Sequence, residues 1–129
     1  MKLPEEMSEA YFRAKVIDPW LARWAHYSFP TTGVRCRNGI PDYLVHVGRM
    51  VCYIEAKSLS GALSGYQVNE IAKIRRGGIL VYVVDPKSWG QISQSILQVA
   101  FPENEREPLN TNRMVANTQY HMSRDEGTA

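Results

Sequence analysis

The dipeptide Gly48-Arg49, set between β-rich runs from Asp42 to Val47 and from Met50 to Lys57, is the strongest local constraint in this chain. Glycine at the first central position suits a type II′ turn, whose twist matches that of the strands it joins. The spacing therefore predicts a β-hairpin. With a two-residue loop, Val47 faces Met50, and counting outward sets Asp42 directly opposite Glu55. Alternation puts Val51, Tyr53, Glu55 and Lys57 on one face of the second strand and Cys52, Ile54 and Ala56 on the other. Directly opposed residues hold their Cβ atoms about 4.5 to 5.5 Å apart, where like charges repel. A divalent cation would neutralise two carboxylates so placed, and Lys57 adds positive charge to the same face. Everything depends on register, because a slip of one residue sends Asp42 to the opposite face.

Pro41-Asp42 followed by Glu55-Ala56-Lys57 resembles the signature of the PD-(D/E)xK nucleases. Gly39 precedes the Pro-Asp pair, Leu63-Ser64-x-x-Gln67 follows the lysine, and Gly77-Gly78 leads into the run from Ile79 to Val84. In these features the chain is similar to the VRR-NUC branch over roughly residues 9 to 85. The resemblance implies a restriction-endonuclease-like α/β core: a mixed central sheet with a β-hairpin, a crossover helix and flanking helices. It implies Mg²⁺, with Mn²⁺ as a substitute, held by Asp42, Glu55 and the main-chain carbonyl of Ala56. A glutamate of the first helix often completes such a site; Glu9 is best placed, with Glu5 and Glu6 as rivals. All three equally suit solvated acidic residues at a helix N-terminus. The family also places a glutamine at the position of Gln67 beside the active site. Its stand-alone members of similar size resemble junction resolvases, which implies a homodimer acting on branched DNA.

A chain of 129 residues that is 44% hydrophobic suffices for one domain with a real core. Residues 1–100 are expected to form it. From Phe101 onward charges, prolines and polar residues show no periodicity, which predicts a flexible tail over 101–129. Seven basic and three acidic residues lie between Val34 and Gly78, whereas the whole chain carries only +2. Positive charge thus gathers around the hairpin and suits a polyanion such as DNA. Cys36 and Cys52 form no Cys-x-x-Cys pair. The start lacks an apolar signal core, and the longest apolar run, Ile79 to Val84, is too short to span a bilayer. A cytoplasmic protein without a membrane segment is expected.

The first helix is expected from Pro4, with Met7, Ala10, Tyr11, Ala14 and Ile17 on its inner face. Asp18-Pro19 predicts a break or kink, after which Trp20, Leu21, Trp24 and Tyr27 continue an aromatic face. His26 to Asn38 reads as a loop at the cleft, where Arg35 and Arg37 could contact phosphates. Ser64 and Gln67 match a capping box, a second reason for the glutamine. The helix they open would turn Val68, Ile71, Ala72 and Ile74 inward and carry Lys73, Arg75 and Arg76 near its end, as further DNA contacts or partners of the helix dipole. Ile79 to Val84 reads as a strand buried on both faces and reached by a parallel crossover. Lys87 to Val99 reads as a last helix. His46 shares the carboxylate face but lies roughly 13 Å along the strand from Asp42, and Cys52 reads as a buried small hydrophobe.

The function expected is that of a Mg-dependent DNA endonuclease, with Asp42 and Glu55 as ligands, Lys57 as the catalytic cation and Gln67 beside them. The alternative is a non-catalytic DNA- or protein-binding module in which Lys57 bridges Asp42 and Glu55 in a structural cluster.

Overall fold

The computed structural model describes residues 1–31 and 38–102. Four strands, β1 (Tyr27–Pro30), β2 (Tyr43–Val47), β3 (Met50–Ala56) and β4 (Leu80–Val84), form one sheet in that order. β1, β2 and β3 are successively antiparallel, and β4 runs parallel to β3. The helices are α1 (Glu9–Phe12), α2 (Asp18–Trp24), α3 (Gly65–Arg76) and α4 (Trp89–Ala100). The result is a mixed sheet of the α/β class, with α3 as the crossover that a parallel β3–β4 pair requires.

The hairpin has the register expected of a two-residue loop: Val47 faces Met50, Val45 faces Cys52 and Tyr43 faces Ile54. Gly48 takes φ of 55° and Arg49 has no positive φ, which fits a II′ turn and not a I′ turn. A Cβ at Gly48 would fall 2.3 Å from the main-chain oxygen of Ala100. The Arg49 N–H donates to that same oxygen at 3.1 Å, so the turn locks onto the C-terminal end of α4.

One face of the hairpin, Tyr43, Val45, Val47, Met50, Cys52, Ile54 and Ala56, packs into a core with Phe12, Ile17, Leu21, Trp89 and Ile96. Full burial of a large apolar side chain contributes about 1.5 to 3 kcal/mol. The rings of Phe12 and Trp20 meet Trp89 edge-on, at centroid separations of 6.1 and 5.3 Å.

The N-terminal helix differs from expectation. Pro4–Glu6 form a separate single 3₁₀ turn, and α1 starts after Ser8, whose hydroxyl accepts the Tyr11 N–H at 3.1 Å. No break occurs at Asp18-Pro19. Asp18 is helical, and α1 passes into α2 through a π turn, Arg13–Ile17, with the Asp18 N–H bonded to the Arg13 carbonyl. Proline has no N–H to give an α-helix, and its ring clashes with the carbonyl four residues back. A wider turn just before Pro19 accommodates both defects. The extra residue also rotates the inner face: Phe12 and Ile17, five residues apart, are both 0% exposed, whereas Ala10 and Ala14 point outward.

Two further expectations are corrected and a third holds in part. The segment read as a loop from His26 contains β1, and Tyr27 belongs to that strand and not to the helical aromatic face. Pro30 is tolerated because β1 is an edge strand. β4 is the other edge among the described residues, and its two faces are covered only in part: Val81 and Val84, three positions apart and so on opposite faces, are buried, while Leu80 is exposed. α3 buries Ile71, half-buries Ile74 and leaves Val68 and Ala72 exposed. Its inward stripe runs through Gln67, Ile71 and Ile74, a helical spacing of four and three. Arg35, Arg37 and residues 103–129 of the expected tail lie outside the described residues. Among the described residues no helix is long and apolar enough to cross a membrane.

Candidate functional site

Asp42 is set in place by its neighbours before β2 begins. Pro41 is fully buried, and its carbonyl accepts a hydrogen bond from the Thr31 hydroxyl. The Thr31 N–H donates to the Asp42 carbonyl at 2.9 Å. One position beyond the Tyr43–Ile54 pair, Asp42 therefore stands opposite Glu55. Its Oδ2 accepts the Ala56 N–H at 2.9 Å, and its Oδ1 lies 3.7 Å from Arg13 Nη1.

Both carboxyls are enclosed, Asp42 at 5% exposure and Glu55 at 1%. Burial pushes the Glu55 carboxyl up to about 8, helped by the negative charge of Asp42 and a hydrogen bond between the two side chains. Lys57 opposes this shift, and Glu9 adds to it. With no cation present, Glu55 therefore holds its proton to a higher pH than an ordinary carboxyl does.

Gln67 closes the site from α3. Its Nε2 donates to both Glu55 carboxylate oxygens, at 3.3 and 3.4 Å. Its Oε1 accepts the Ser64 N–H at 2.9 Å while the Ser64 hydroxyl accepts the Gln67 N–H at 3.2 Å. Capping and contact with the site, alternatives in the sequence, are both made by one amide. Gly39, with φ of 86°, lies so close to α3 that a Cβ there would come 2.4 Å from the Tyr66 carbonyl oxygen.

Lys57 is half-buried at the end of the same strand, and its N–H extends the ladder to the Val84 carbonyl at 2.8 Å. Its charge favours ionised Glu55. Among the described residues, however, its ammonium closes no ion pair; the cation at Asp42 is Arg13. Of the N-terminal glutamates, Glu5 pairs with Lys87 at 3.6 Å and Glu6 caps the Leu3 N–H at 3.1 Å. Only Glu9 acts on Glu55.

The basic residues of α3 stand apart from this cluster. Lys73 pairs with Glu70 at 3.8 Å, Arg75 Nη2 donates to the Val81 carbonyl at 2.8 Å, and Arg76 is exposed. Arg76 is about 13 Å along the helix from Gln67. His46 is exposed beside His26, with ring centroids 5.6 Å apart, far from the carboxylates. The Cys52 thiol is pushed up to about 12 by burial, which makes it inert as a nucleophile.

Arg13 and Tyr43 join the site without a motif to announce them. One signal was present: Arg13 follows Glu9 by four residues, so both project from one helix face. Tyr43, on the core face, bridges Arg13 and Asp18: Arg13 Nε donates to its hydroxyl at 3.2 Å, and that hydroxyl donates to Asp18 Oδ1 at 2.7 Å.

Among the described residues, no three His, Cys, Asp or Glu side chains gather closely enough to hold a metal ion. The Asp42–Glu55 pair offers hard oxygen donors, which suit Mg²⁺ because that ion takes few protein ligands and keeps several waters. The chain matches no protein-family model, and it has no significant match among curated proteins or solved structures.

Proposed function

We propose that this protein is a metal-dependent DNA endonuclease of the PD-(D/E)xK type, resembling the VRR-NUC branch. The observation that carries the reading is the buried face-to-face pair Asp42 and Glu55, with Gln67 bonded to Glu55. Burying two carboxyls together is costly unless a proton or a cation neutralises them. The mixed sheet, the hairpin register and the crossover helix are consistent with the core that the resemblance implies.

Asp42 and Glu55 would hold Mg²⁺ or Mn²⁺, aided by the Ala56 carbonyl and, further out, Glu9. When bound, the ion supplies Lewis acidity to the scissile phosphate and eases deprotonation of water. Hydrolysis joins the water oxygen to phosphorus and breaks the bond from phosphorus to one ester oxygen of the backbone. Lys57 orients the attacking water or offsets the negative charge that grows on phosphorus. Gln67 keeps Glu55 aimed into the site. Lys73 and Arg76 are candidates for more distant phosphate contacts, as are Arg35 and Arg37.

The deciding experiment incubates the purified protein with supercoiled plasmid in Mg²⁺, Mn²⁺, Ca²⁺ or chelator. Nicking in the first two alone, lost in Lys57→Ala while Ca²⁺-dependent DNA binding persists, is the result expected. Full activity in Lys57→Ala, or none in the wild type, overturns the reading. The second reading, a non-catalytic binding module, draws on the Arg13–Asp42 ion pair, which can neutralise Asp42 without metal. It predicts no response of the melting temperature to Mg²⁺ or Mn²⁺. The nuclease reading also includes a cytoplasmic homodimer acting on flap, branched or junction DNA. Four-way junctions outcompeting linear duplex of equal length would support that substrate, and equal competition would leave a general nuclease.

A further inference from the structure

Arg13 is built differently from a counter-ion. A guanidinium serving only to neutralise Asp42 would close a short, bidentate pair, with N–O separations near 2.8 Å. Here Nη1 stops 3.7 Å from Oδ1, a separation for Coulombic attraction without a hydrogen bond. The group is instead anchored from behind. Nε donates to the Tyr43 hydroxyl at 3.2 Å, Tyr43 in turn donates to Asp18, and the guanidinium carbon lies 5.2 Å from the Tyr43 ring centroid. Among the described residues the Nη donors have no hydrogen-bond partner, and the side chain keeps 29% of its surface exposed. One end of the fork is tied down while the other opens beside the carboxylates.

The backbone supports this placement. Arg13 opens the π turn between α1 and α2, a feature that often marks functional positions in helices. It also stands one helical turn after Glu9, so a single helix face directs an acid toward Glu55 and a base toward Asp42. A planar, pre-oriented fork of N–H donors matches two oxygens of a phosphate better than a lysine ammonium does.

Resting on the nuclease reading, we propose that Arg13 is a phosphate-binding residue of the site, engaging non-bridging oxygens of the DNA phosphate held beside Asp42. Without DNA it is drawn toward Asp42; with DNA bound its Nη donors turn to the phosphate. Tyr43 is the positioning residue that fixes the fork.

Four proteins test this: the wild type, Arg13→Gln, Arg13→Lys and Tyr43→Phe. Binding of a fluorescein-labelled duplex in Ca²⁺ is measured against salt, plasmid nicking is measured in saturating Mg²⁺, and melting temperature is measured with and without Mn²⁺ in the absence of DNA. Arg13→Gln should lower the salt slope by roughly one and slow nicking on the order of 10²-fold. Its Mn²⁺-induced rise in melting temperature should be as large as that of the wild type or larger, because a competing cation has been removed. Arg13→Lys and Tyr43→Phe should fall between Arg13→Gln and the wild type in nicking. Wild-type nicking and salt slope in Arg13→Gln would overturn the proposal. So would loss of its Mn²⁺ response, which would make Arg13 a builder of the metal site. If the wild type binds DNA without cutting and Arg13→Gln still lowers the slope, the nuclease reading falls while the phosphate contact stands. If the wild type neither binds nor cuts, both fall.

Discussion

Gln67 reaches Glu55 across the gap between α3 and β3 with one amide nitrogen, 3.3 and 3.4 Å from the two carboxylate oxygens, while its amide oxygen caps the helix that carries it. Helix start and site geometry are thus tied through one side chain. Gln67→Ala removes both contacts and should cost about 0.5 to 2 kcal/mol of stability, as losses at helix caps do. Gln67→Glu keeps an oxygen for the cap but sets a third carboxylate beside Glu55. It should melt closer to the wild type than Gln67→Ala does, yet lose nicking activity. Equal nicking by Gln67→Glu and the wild type would separate the cap from the site.

The Glu55 proton gives a pH signature in chelator. Its carboxyl titrates at about 8 in the folded protein and near 4.3 when unfolded. Between these values the folded state holds the extra proton, so the contribution to stability is fully present below about pH 4 and is lost as pH rises through about 8. Glu55→Gln cannot titrate and should outlast the wild type above that pH. Thermal melts of both proteins in chelator across this window are the check, and a wild type that gains on Glu55→Gln as pH rises would contradict the raised Glu55 carboxyl.

A cation must displace that proton below about pH 8. Mn²⁺ affinity, read from the shift in melting temperature, should therefore climb with pH and level off above 8, since a ligand that binds only the folded state stabilises it. Asp42→Asn should lose most of the shift. A response to Mn²⁺ that survives in Asp42→Asn would place the cation elsewhere.

Gly39 should tolerate no side chain. Its φ of 86° costs an L-residue about 1 to 2 kcal/mol, and a Cβ would overlap the Tyr66 carbonyl at 2.4 Å. Gly39→Ala should lower stability in urea by more than the conformational cost alone and move the first turn of α3, taking nicking activity with it. A stable, active Gly39→Ala would mean that the loop shifts without disturbing Gln67.

Arg75 and Arg76 should behave differently despite being neighbours. Arg75 donates to the Val81 carbonyl, so Arg75→Ala should cost about 1 kcal/mol and leave the salt dependence of DNA binding unchanged. Arg76→Ala should leave stability unchanged and, if DNA tracks that end of α3, lower the salt slope. A changed slope in Arg75→Ala alone would reverse the assignment.

The hairpin was legible in the chain itself. Gly48 in a two-residue turn sets the register, and register alone brings Asp42 opposite Glu55 and separates Cys52, Ile54 and Ala56 from them, because these relations follow from local geometry and strict alternation. The capping box at Ser64 and Gln67 is local for the same reason. Tertiary structure decided what depends on distant packing. Pro19 was absorbed by a π turn, since the core takes both Phe12 and Ile17, and the aromatic run ended in β1, since β2 offered Tyr27 a ladder partner. The contact between Gln67 and Glu55 required α3 to lie across β3 and β4, and the place of Arg13 beside Asp42 required the first helix to cross the end of the hairpin. Charge pairing between residues far apart in sequence leaves no periodicity to read, so only the folded chain discloses it.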